Sequence, residues 1–171
     1  MSNAKPNPDA PTIRPLEPHD LEAVVALAIP AWQQVFDSFA EILGGTVFNH
    51  LYQPSWQEAQ AASVRTTCLD EQGEAYVVVA SDGRVAGYVA LANETDAGIG
   101  HIEQIAVHPD YQRRGYARAL MSFAIERFRA SGMVMANVGT GGDPGHAPAR
   151  GLYEALGFVG VPLVNYYSPI E

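Results

Sequence analysis

Cysteine and basic residues are scarce in this 171-residue sequence. The one cysteine, Cys68, excludes an internal disulfide framework and a metal site built from several thiolates, as is typical of a protein from a reducing compartment. Lys and Arg number 10 against 19 Asp and Glu, which gives a formal net charge of −9. Because phosphate contacts call for a basic surface, a general nucleic-acid binder is disfavoured and cationic partners are favoured.

Long apolar runs and export signals are missing too. Residues 1–11 are polar and proline-rich, without the basic and apolar stretches of a signal peptide, and no run of eighteen apolar residues follows. We therefore expect a soluble cytoplasmic protein with no membrane partner. Residues 1–11 are predicted to be a flexible N-terminal segment and residues 12–171 a single domain, since this length fits one domain.

Helical spacing dominates the first third of the chain. From Leu21 to Leu43 apolar residues recur every three or four positions, which predicts a helix with one apolar face. Pro30 predicts a break or kink into two helices, because proline removes a helix donor, and the glycines at 44 and 45 predict the end. A more polar helix is expected over residues 57–69.

Strand patterns follow. Residues 75–80 and 84–92 are rich in β-branched residues and are separated by Ser-Asp-Gly, which predicts an antiparallel hairpin. Further strands are predicted at residues 100–107, 133–138 and 164–167. Between the third and fourth strands, apolar residues at helical spacing over 117–128 predict a helix, so these two strands should be parallel. A short helix is expected before Leu156.

The stretch QRRGYA, residues 112–117, joins a predicted strand to this helix. The first amide donors of a helix lack internal partners, Gly115 allows close approach of a ligand to the backbone, and two arginines add positive charge. The turn therefore has the chemistry of a phosphate cradle. An ordinary strand-to-helix turn with two solvated arginines is the alternative, since short glycine motifs also match by chance.

Two longer stretches carry a resemblance. IEQIAVHPDYQRRGYARALM, residues 102–121, resembles the central motif of the GNAT superfamily of acyl-CoA-dependent N-acyltransferases, and ARGLYEALGF, residues 149–158, resembles its second motif. The resemblance covers most of residues 12–168. It implies an α/β fold of the α+β type, with a centrally splayed, mostly antiparallel mixed sheet flanked by helices. It also implies acetyl-CoA as cosubstrate and an amine as acceptor, either a small molecule or a peptide amino terminus; a homodimer is a further expectation.

The resemblance also implies which residues hold the coenzyme. The pyrophosphate would lie on the 112–118 turn, the pantetheine arm would pair with the main chain of a bulged strand, and a polar contact would come from the next strand. The residues concerned are Ile105, Ala106, Val107, Gln112, Arg113, Arg114, Gly115, Tyr116, Ala117, Arg118, Asn137 and Arg150. One position departs from the family: His146 stands seven residues before the motif tyrosine, where relatives often have asparagine.

Two residues are candidates for the proton transfers. Tyr153 is placed at the sulfur by the resemblance, and a phenol with an ordinary pKa of about 10 stays protonated at neutral pH, as a general acid must. Glu103, within the strand leading to the slot, is the candidate general base, acting directly or through water. The alternatives are a half-buried helix tyrosine and a strand glutamate that faces solvent or pairs with an arginine.

The acceptor side is less clearly marked. Trp32 and Phe36, near Pro30, are candidates to line the acceptor cleft, although aromatics at helical spacing often belong to a core. The five histidines lack metal-ligand spacing, so no metal is expected. A non-catalytic acyl-CoA-binding module remains an alternative. A nucleotide-binding protein would be expected to carry one of the glycine-rich phosphate motifs, and the sequence has neither.

Overall fold

A computed structural model describes residues 11–170. The predicted flexible segment 1–11 lies outside the described residues except for Pro11, and so does Glu171. Five strands form one sheet in the order β1-β2-β3-β4-β5. β1 to β4 pair antiparallel, and β5 pairs parallel to β4. The strands are β1 Thr12–Pro15, β2 Gly73–Val79, β3 Val85–Glu94, β4 Ile99–Val107 and β5 Met135–Val138.

Four α-helices flank this sheet: α1 Leu21–Leu51, α2 Trp56–Cys68, α3 Tyr116–Ala130 and α4 Ala147–Ala155. The mixed, mostly antiparallel sheet with flanking helices confirms the predicted fold class. The strand β1 was not predicted, because three residues between Pro11 and Pro15 give too short a pattern to recognise.

Alternation along β2 and β3 divides the core into two layers. Val77 and Tyr88 pack with α1 and α2, whereas Val78 and Val89 pack with α3 on the other face. Successive side chains of a strand point to opposite faces of the sheet. A sheet covered on both faces therefore needs apolar residues at consecutive positions, as the β-branched runs of β2 and β3 provide. The sheet is thus sandwiched between two helical layers.

The predicted break at Pro30 is wrong. α1 continues through this residue, and the one non-helical backbone conformation within its bounds is at Gly44, with φ 69° and ψ 162°. Pro30 and Ala26, whose carbonyl loses its helical donor, are both on the exposed side of the helix, so solvent can satisfy that carbonyl. On both sides of the proline the helix packs against the sheet: Ala28 before it is buried in the cluster of Val77 and Tyr88, and Trp32 after it packs partly buried against the same cluster.

The stretch Pro18–Leu51 is long and apolar enough, by length and composition, to cross a membrane. However, Val24, Leu27 and Ala28 of this helix are buried against Val77 and Tyr88 of the sheet. A helix that supplies one layer of a protein core passes the same composition test. We therefore interpret α1 as a core helix.

The C-terminal strand predicted at residues 164–167 is also not observed. Residues 159–170, called here the C-terminal arm, contain no strand or helix. Their β-branched and aromatic residues favour a strand, but a strand also needs a hydrogen-bonded neighbour, and the arm has no ladder partner among the described residues. Its large apolar side chains are instead exposed: Val159, Val161, Leu163, Val164, Tyr166, Tyr167 and Ile170.

Candidate active site

The site is built where β4 and β5 separate. The two parallel strands pair from Ile99 with Met135 to Ile102 with Val138, and beyond this point β4 has no partner on that side among the described residues. The rest of β4, residues 103–107, therefore has one open edge. A cleft of about 860 Å³ lies along it, bounded by β4, the N-terminus of α3, the start of α4 and the middle of α1.

A bulge shapes the open part of β4. In the pairing with β3, Gln104 lies opposite Ala90 and Ile102 lies opposite Leu91, so Glu103 is an extra residue without a partner. Bulges bend a strand and redirect its side chains, and they are common next to active sites. The resemblance implied a bulge in this strand, and the register confirms one at Glu103.

Glu103 lines the cleft, and its exposed side chain makes no hydrogen bond or ion pair with the described residues. Its neighbour Gln104 is fixed: it accepts a hydrogen bond from the Tyr88 hydroxyl (2.8 Å) and donates to Ser63 Oγ (2.9 Å). Gln104 thus anchors β4 to α2, whereas the neighbouring carboxylate of Glu103 is left without a partner among the described residues.

The turn between β4 and α3 has two residues in the left-handed region. Arg113 has φ 62° and Gly115, the N-cap of α3, has φ 86°. Positive φ is uncommon for a non-glycine residue and costs free energy that the surroundings must offset. A left-handed conformation of this kind arranges successive N–H groups into a concavity that binds anions. Here the concavity lies at the N-terminus of a 15-residue helix, where the helix dipole also favours an anion.

Side chains tie this turn to the strand. Gln112 donates from Nε2 to the carbonyl of Val107 (3.0 Å), while the guanidinium of Arg114 lies 5.5 Å from the centre of the Tyr111 ring. Tyr111 in turn donates to Asp82 Oδ2 (2.5 Å) in the β2–β3 hairpin. The turn is therefore held from the strand and from the neighbouring hairpin.

Tyr153 reaches the cleft from α4. Its side chain is 8% exposed, and burial raises the pKa of its phenol to about 12. The hydroxyl makes no hydrogen bond within residues 11–170. A protonated donor is thereby held at the cleft wall.

The structure brings most of the predicted site residues to this one cleft. Those that line it are Trp32, Glu103, Ile105, Ala106, Val107, Gln112, Arg113, Gly115, Tyr116, Ala117, Arg118 and Tyr153. The first and last of them, Trp32 and Tyr153, are 121 positions apart in the sequence, so it is the splayed strand pair, the α3 turn and α1 that assemble them.

Four predicted site residues do not line the cleft. Phe36 is buried and stacks on Trp56, with 4.5 Å between ring centres. Arg114 lies over Tyr111, and Asn137 contacts His101, with 3.3 Å between Oδ1 and Nδ1. The fourth residue, Arg150, donates hydrogen bonds to main-chain carbonyls of the segment before α4.

The structure also reveals a buried pair that sequence reasoning did not identify. His146 Nδ1 lies 2.5 Å from Asp143 Oδ1, and both side chains are nearly inaccessible. Burial alone would raise the pKa of Asp143, but hydrogen bonds from His146 and Ser38 outweigh it and lower that pKa. Arg150 Nη1 donates to the carbonyls of Gly141 (2.6 Å) and Asp143 (2.8 Å). The spacing Asp-x-x-His before α4 was the one available signal.

His146 lines the same cleft as Trp32, with 6.2 Å between ring centres in an edge-on arrangement. Because an ionised carboxylate only accepts hydrogen bonds, Nδ1 must be the donor to Asp143, and Nε2 of the neutral ring is left as an acceptor. The buried indole Nε1 of Trp32 has no hydrogen-bond partner in the described part of the chain. This end of the cleft therefore offers aromatic faces and, with the neutral ring of His146, one nitrogen acceptor.

Two other kinds of group that could be reactive are metal ligands and the cysteine thiol. Among residues 11–170, no three His, Cys, Asp or Glu side chains are grouped to hold a metal ion. Burial raises the pKa of Cys68 to about 11, so its thiol stays protonated within the core at neutral pH.

Comparisons with known proteins agree with this geometry. A model of the acetyltransferase (GNAT) family matches residues 32–158. A [ribosomal protein bS18]-alanine N-acetyltransferase of Salmonella typhimurium is 31% identical over 121 residues, which cover 67% of this chain and 79% of that protein.

Solved structures show the same fold. The ribosomal-protein-S18-alanine N-acetyltransferase of Escherichia coli has a TM-score of 0.60 at 23% identity, covering 86% of this chain and 77% of that one. The aminoglycoside N-acetyltransferase AAC(6')-Iy, in complex with CoA, has a TM-score of 0.63 at 19% identity, covering 97% and 99%. With a splayed sheet, the matching motifs and the family model, this chain belongs to the GNAT family of acetyltransferases.

Proposed function

We propose that this acetyltransferase moves an acetyl group from acetyl-CoA to a primary amine, in a small molecule or at a peptide amino terminus. The amine would attack directly while both substrates are bound. The observation that carries the proposal is the open edge of β4, followed after one 3-10 turn, Pro109–Tyr111, by the left-handed backbone at Arg113 and Gly115.

The residues present fit the coenzyme. Free N–H groups at the α3 N-terminus, with Arg113 and Arg118 at the cleft wall, suit a pyrophosphate. The main chain of residues 105–107 suits the amides of a pantetheine arm, because a strand edge pairs with any extended amide chain. A backbone N–H at Ile105 or Ala106 would polarise the acetyl oxygen as charge develops there.

The proton transfers are assigned to two groups of the cleft. Tyr153 is proposed to donate its proton to the departing sulfur. Glu103 is proposed to accept the proton of the incoming amine, directly or through water, because an ammonium has no lone pair with which to attack. Because it has no partner among residues 11–170, this carboxylate can meet a cation.

The acceptor is proposed to be a cation that enters past α1. Trp32 and His146 supply aromatic faces there, Glu103 supplies negative charge, and the whole chain is acidic. By their names, these relatives act on two kinds of acceptor, an alanine of ribosomal protein bS18 and an aminoglycoside. Both classes belong in the test.

Thiol release measures this function directly. Acetyl-CoA would be incubated with a panel of peptides with free amino termini, aminoglycosides and small polyamines, and free thiol followed with a disulfide reagent. Cys68 should contribute little background, because it is buried. We expect one amine class to give turnover, with an apparent affinity that weakens as salt rises, since salt screens exposed charges.

The alternative is a non-catalytic acyl-CoA-binding module. Such a module would be protected against heating by acetyl-CoA yet release no thiol with any amine in the panel. A best acceptor that is a neutral alcohol or an anion would contradict the charge argument. We also propose that residues 12–171 form one domain, that the protein works in the cytoplasm, and that it is a homodimer.

A further inference from the structure

The wall of the cleft that carries His146 is closely packed. The turn before α4 lies directly on α1: a Cβ atom at Gly145 would stand 2.7 Å from the carbonyl oxygen of Gln34 and from Cα of Val35. A Cβ atom at Gly141 would stand 2.6 Å from Nδ1 of His146. Such distances are shorter than real side chains allow, so both positions need glycine for close approach. The imidazole of His146 is therefore held in one place from several sides.

One nitrogen of this ring is open to the cleft. Nδ1 is paired with Asp143, and the ring lines the cleft with 11% of its side chain exposed. Nε2 has no hydrogen-bond partner among residues 11–170, and it is not one of the buried side-chain atoms that lack a partner. Nε2 is therefore accessible from the cleft, and in the neutral ring it can accept one hydrogen bond from a ligand.

His146 belongs to the α1 side of the cleft. Its ring contacts Trp32 and Phe39 of α1, with 6.2 Å and 5.5 Å between ring centres. α1 packs on one face of the sheet, whereas α3, which begins at the turn proposed to hold the pyrophosphate, packs on the other. A coenzyme that lies on the α3 turn and along the β4 edge leaves the α1 side for the acceptor. His146 therefore faces the acceptor rather than the coenzyme phosphates.

His146 is also separated along the helix from the group that is proposed to protonate the sulfur. His146 directly precedes α4, and Tyr153 comes two turns later, roughly 10 Å along the helix axis. Side chains two turns apart lie on the same side of a helix, and both residues line the cleft. A contact at Nε2 would therefore be made by a part of the acceptor that is some distance from the attacking nitrogen.

We propose that Nε2 of His146 accepts a hydrogen bond from a second donor group of the acceptor, an N–H or O–H several bonds away from the amine that is acetylated. The acceptor is then a polyfunctional amine rather than a simple alkylamine. Asp143 is a positioning residue: it fixes the ring and the tautomer in which the nitrogen facing the cleft carries no hydrogen. The inference rests on the proposed function, because it concerns the acceptor of that reaction, and it leaves the proton transfer with Glu103.

Matched acceptors test the contact through rates. Amino alcohols with chains of three to six carbons would be compared with their methyl ethers, which keep the chain and the ammonium but lose the O–H donor. Alanyl-serine amide and its O-methylserine counterpart make the same comparison for a peptide amino terminus. Thiol release from acetyl-CoA gives kcat/KM for each compound. We expect the parent to prefer the donor-bearing member of at least one pair by roughly tenfold, the effect of one hydrogen bond whose loss leaves a group unpaired.

His146→Asn is the informative variant, because asparagine keeps a donor to Asp143 but does not reach the position of Nε2. We expect this variant to lose the preference, with little change in kcat/KM for the methyl ethers. His19→Asn is the matched control: 69% of the His19 side chain is exposed in the 3-10 turn before α1, outside the cleft, and this variant should keep the preference. Turnover without a preference in any pair, or a preference that His146→Asn retains, would overturn the inference and leave the proposed function intact.

Nitrogen NMR of protein labelled with nitrogen-15 histidine tests the same contact without turnover. The signals that disappear in His146→Asn belong to this ring. At pH 8 we expect a neutral ring with its hydrogen on Nδ1. In protein saturated with CoA, the Nε2 signal should move on addition of the amino alcohols or alanyl-serine amide and stay in place with the methyl ethers. A ring with hydrogen on Nε2, or an Nε2 signal that no donor-bearing compound moves, would exclude the contact. A signal that moves without any thiol release would contradict the proposed function alone.

Discussion

The imidazole of His146 and the carboxylate of Asp143 form a buried pair that fixes the segment before α4 against α1. Nδ1 and Oδ1 are 2.5 Å apart, and the His146 ring packs at 5.5 Å, centre to centre, from Phe39 of α1. The N–H of Gly145 also donates to Asp143 Oδ2 (2.9 Å). One carboxylate therefore orders a turn that forms a wall of the cleft.

This pair predicts a dependence of stability on acid. The pKa of Asp143 is lowered in the folded state, so its contribution is present above the ordinary value of 3.8 and is lost as the pH falls below that value. Asp143→Asn should lower the free energy of unfolding at pH 7 by about 1–3 kcal/mol, and the loss should shrink towards pH 3. Urea unfolding at pH 7, 5 and 3 measures this. Asp96→Asn, on an exposed turn, is the control; equal effects of the two variants would contradict the assignment.

Gly115 tests the coenzyme loop. A methyl group there would meet no atom within 4 Å in the free protein. Gly115→Ala therefore has two effects. It places an alanine in the left-handed conformation, which costs free energy, and it obstructs a ligand that lies on the backbone. We expect a higher dissociation constant for coenzyme A by calorimetry. Gly132→Ala is matched: φ is 79° at Gly132, and its surroundings are equally open, but it lies beyond the far end of α3. Equal affinities in the two variants would exclude the loop as the phosphate site.

Tyr153→Phe tests the acid. The ring packing is kept and one donor is lost, so kcat should fall by roughly 10²- to 10⁴-fold while coenzyme affinity stays nearly constant. Because the phenol has a pKa of about 12, the parent should show no loss of rate from its ionisation below about pH 11. If chemistry is rate-limiting and the kcat of the variant is within twofold of the parent's at every pH, Tyr153 is not the general acid.

Glu103→Gln tests the base. Without the carboxylate the amine must arrive neutral, so kcat/KM should fall at neutral pH and recover as the pH approaches the pKa of the amine, a recovery that Tyr153→Phe should lack. His146→Asn is the comparison, because asparagine can still donate to Asp143 while Nε2 is removed. If this variant shows the recovery and Glu103→Gln does not, the proton acceptor is His146.

Local sequence determined the parts of the site that depend on neighbours along the chain. The strand, turn and helix around residues 102–121 and the helix bearing Tyr153 could be predicted, because glycine positions, apolar spacing and helix ends act within a few residues. The predicted hairpin of β2 and β3 was confirmed for the same reason. These elements were enough to indicate the family.

Tertiary packing decided the rest. Pro30 stays inside α1 because burial on both sides of it outweighs one lost hydrogen bond, a balance invisible to local pattern. Phe36 joins an aromatic cluster and Asn137 turns to His101, since the direction of each depends on segments distant in sequence. The pair of Asp143 and His146 is buried only because α1 packs against it, for example through Phe39. The C-terminal arm has the composition of a strand, but strand formation requires a partner edge, and that is a property of the assembled structure rather than of any twelve residues.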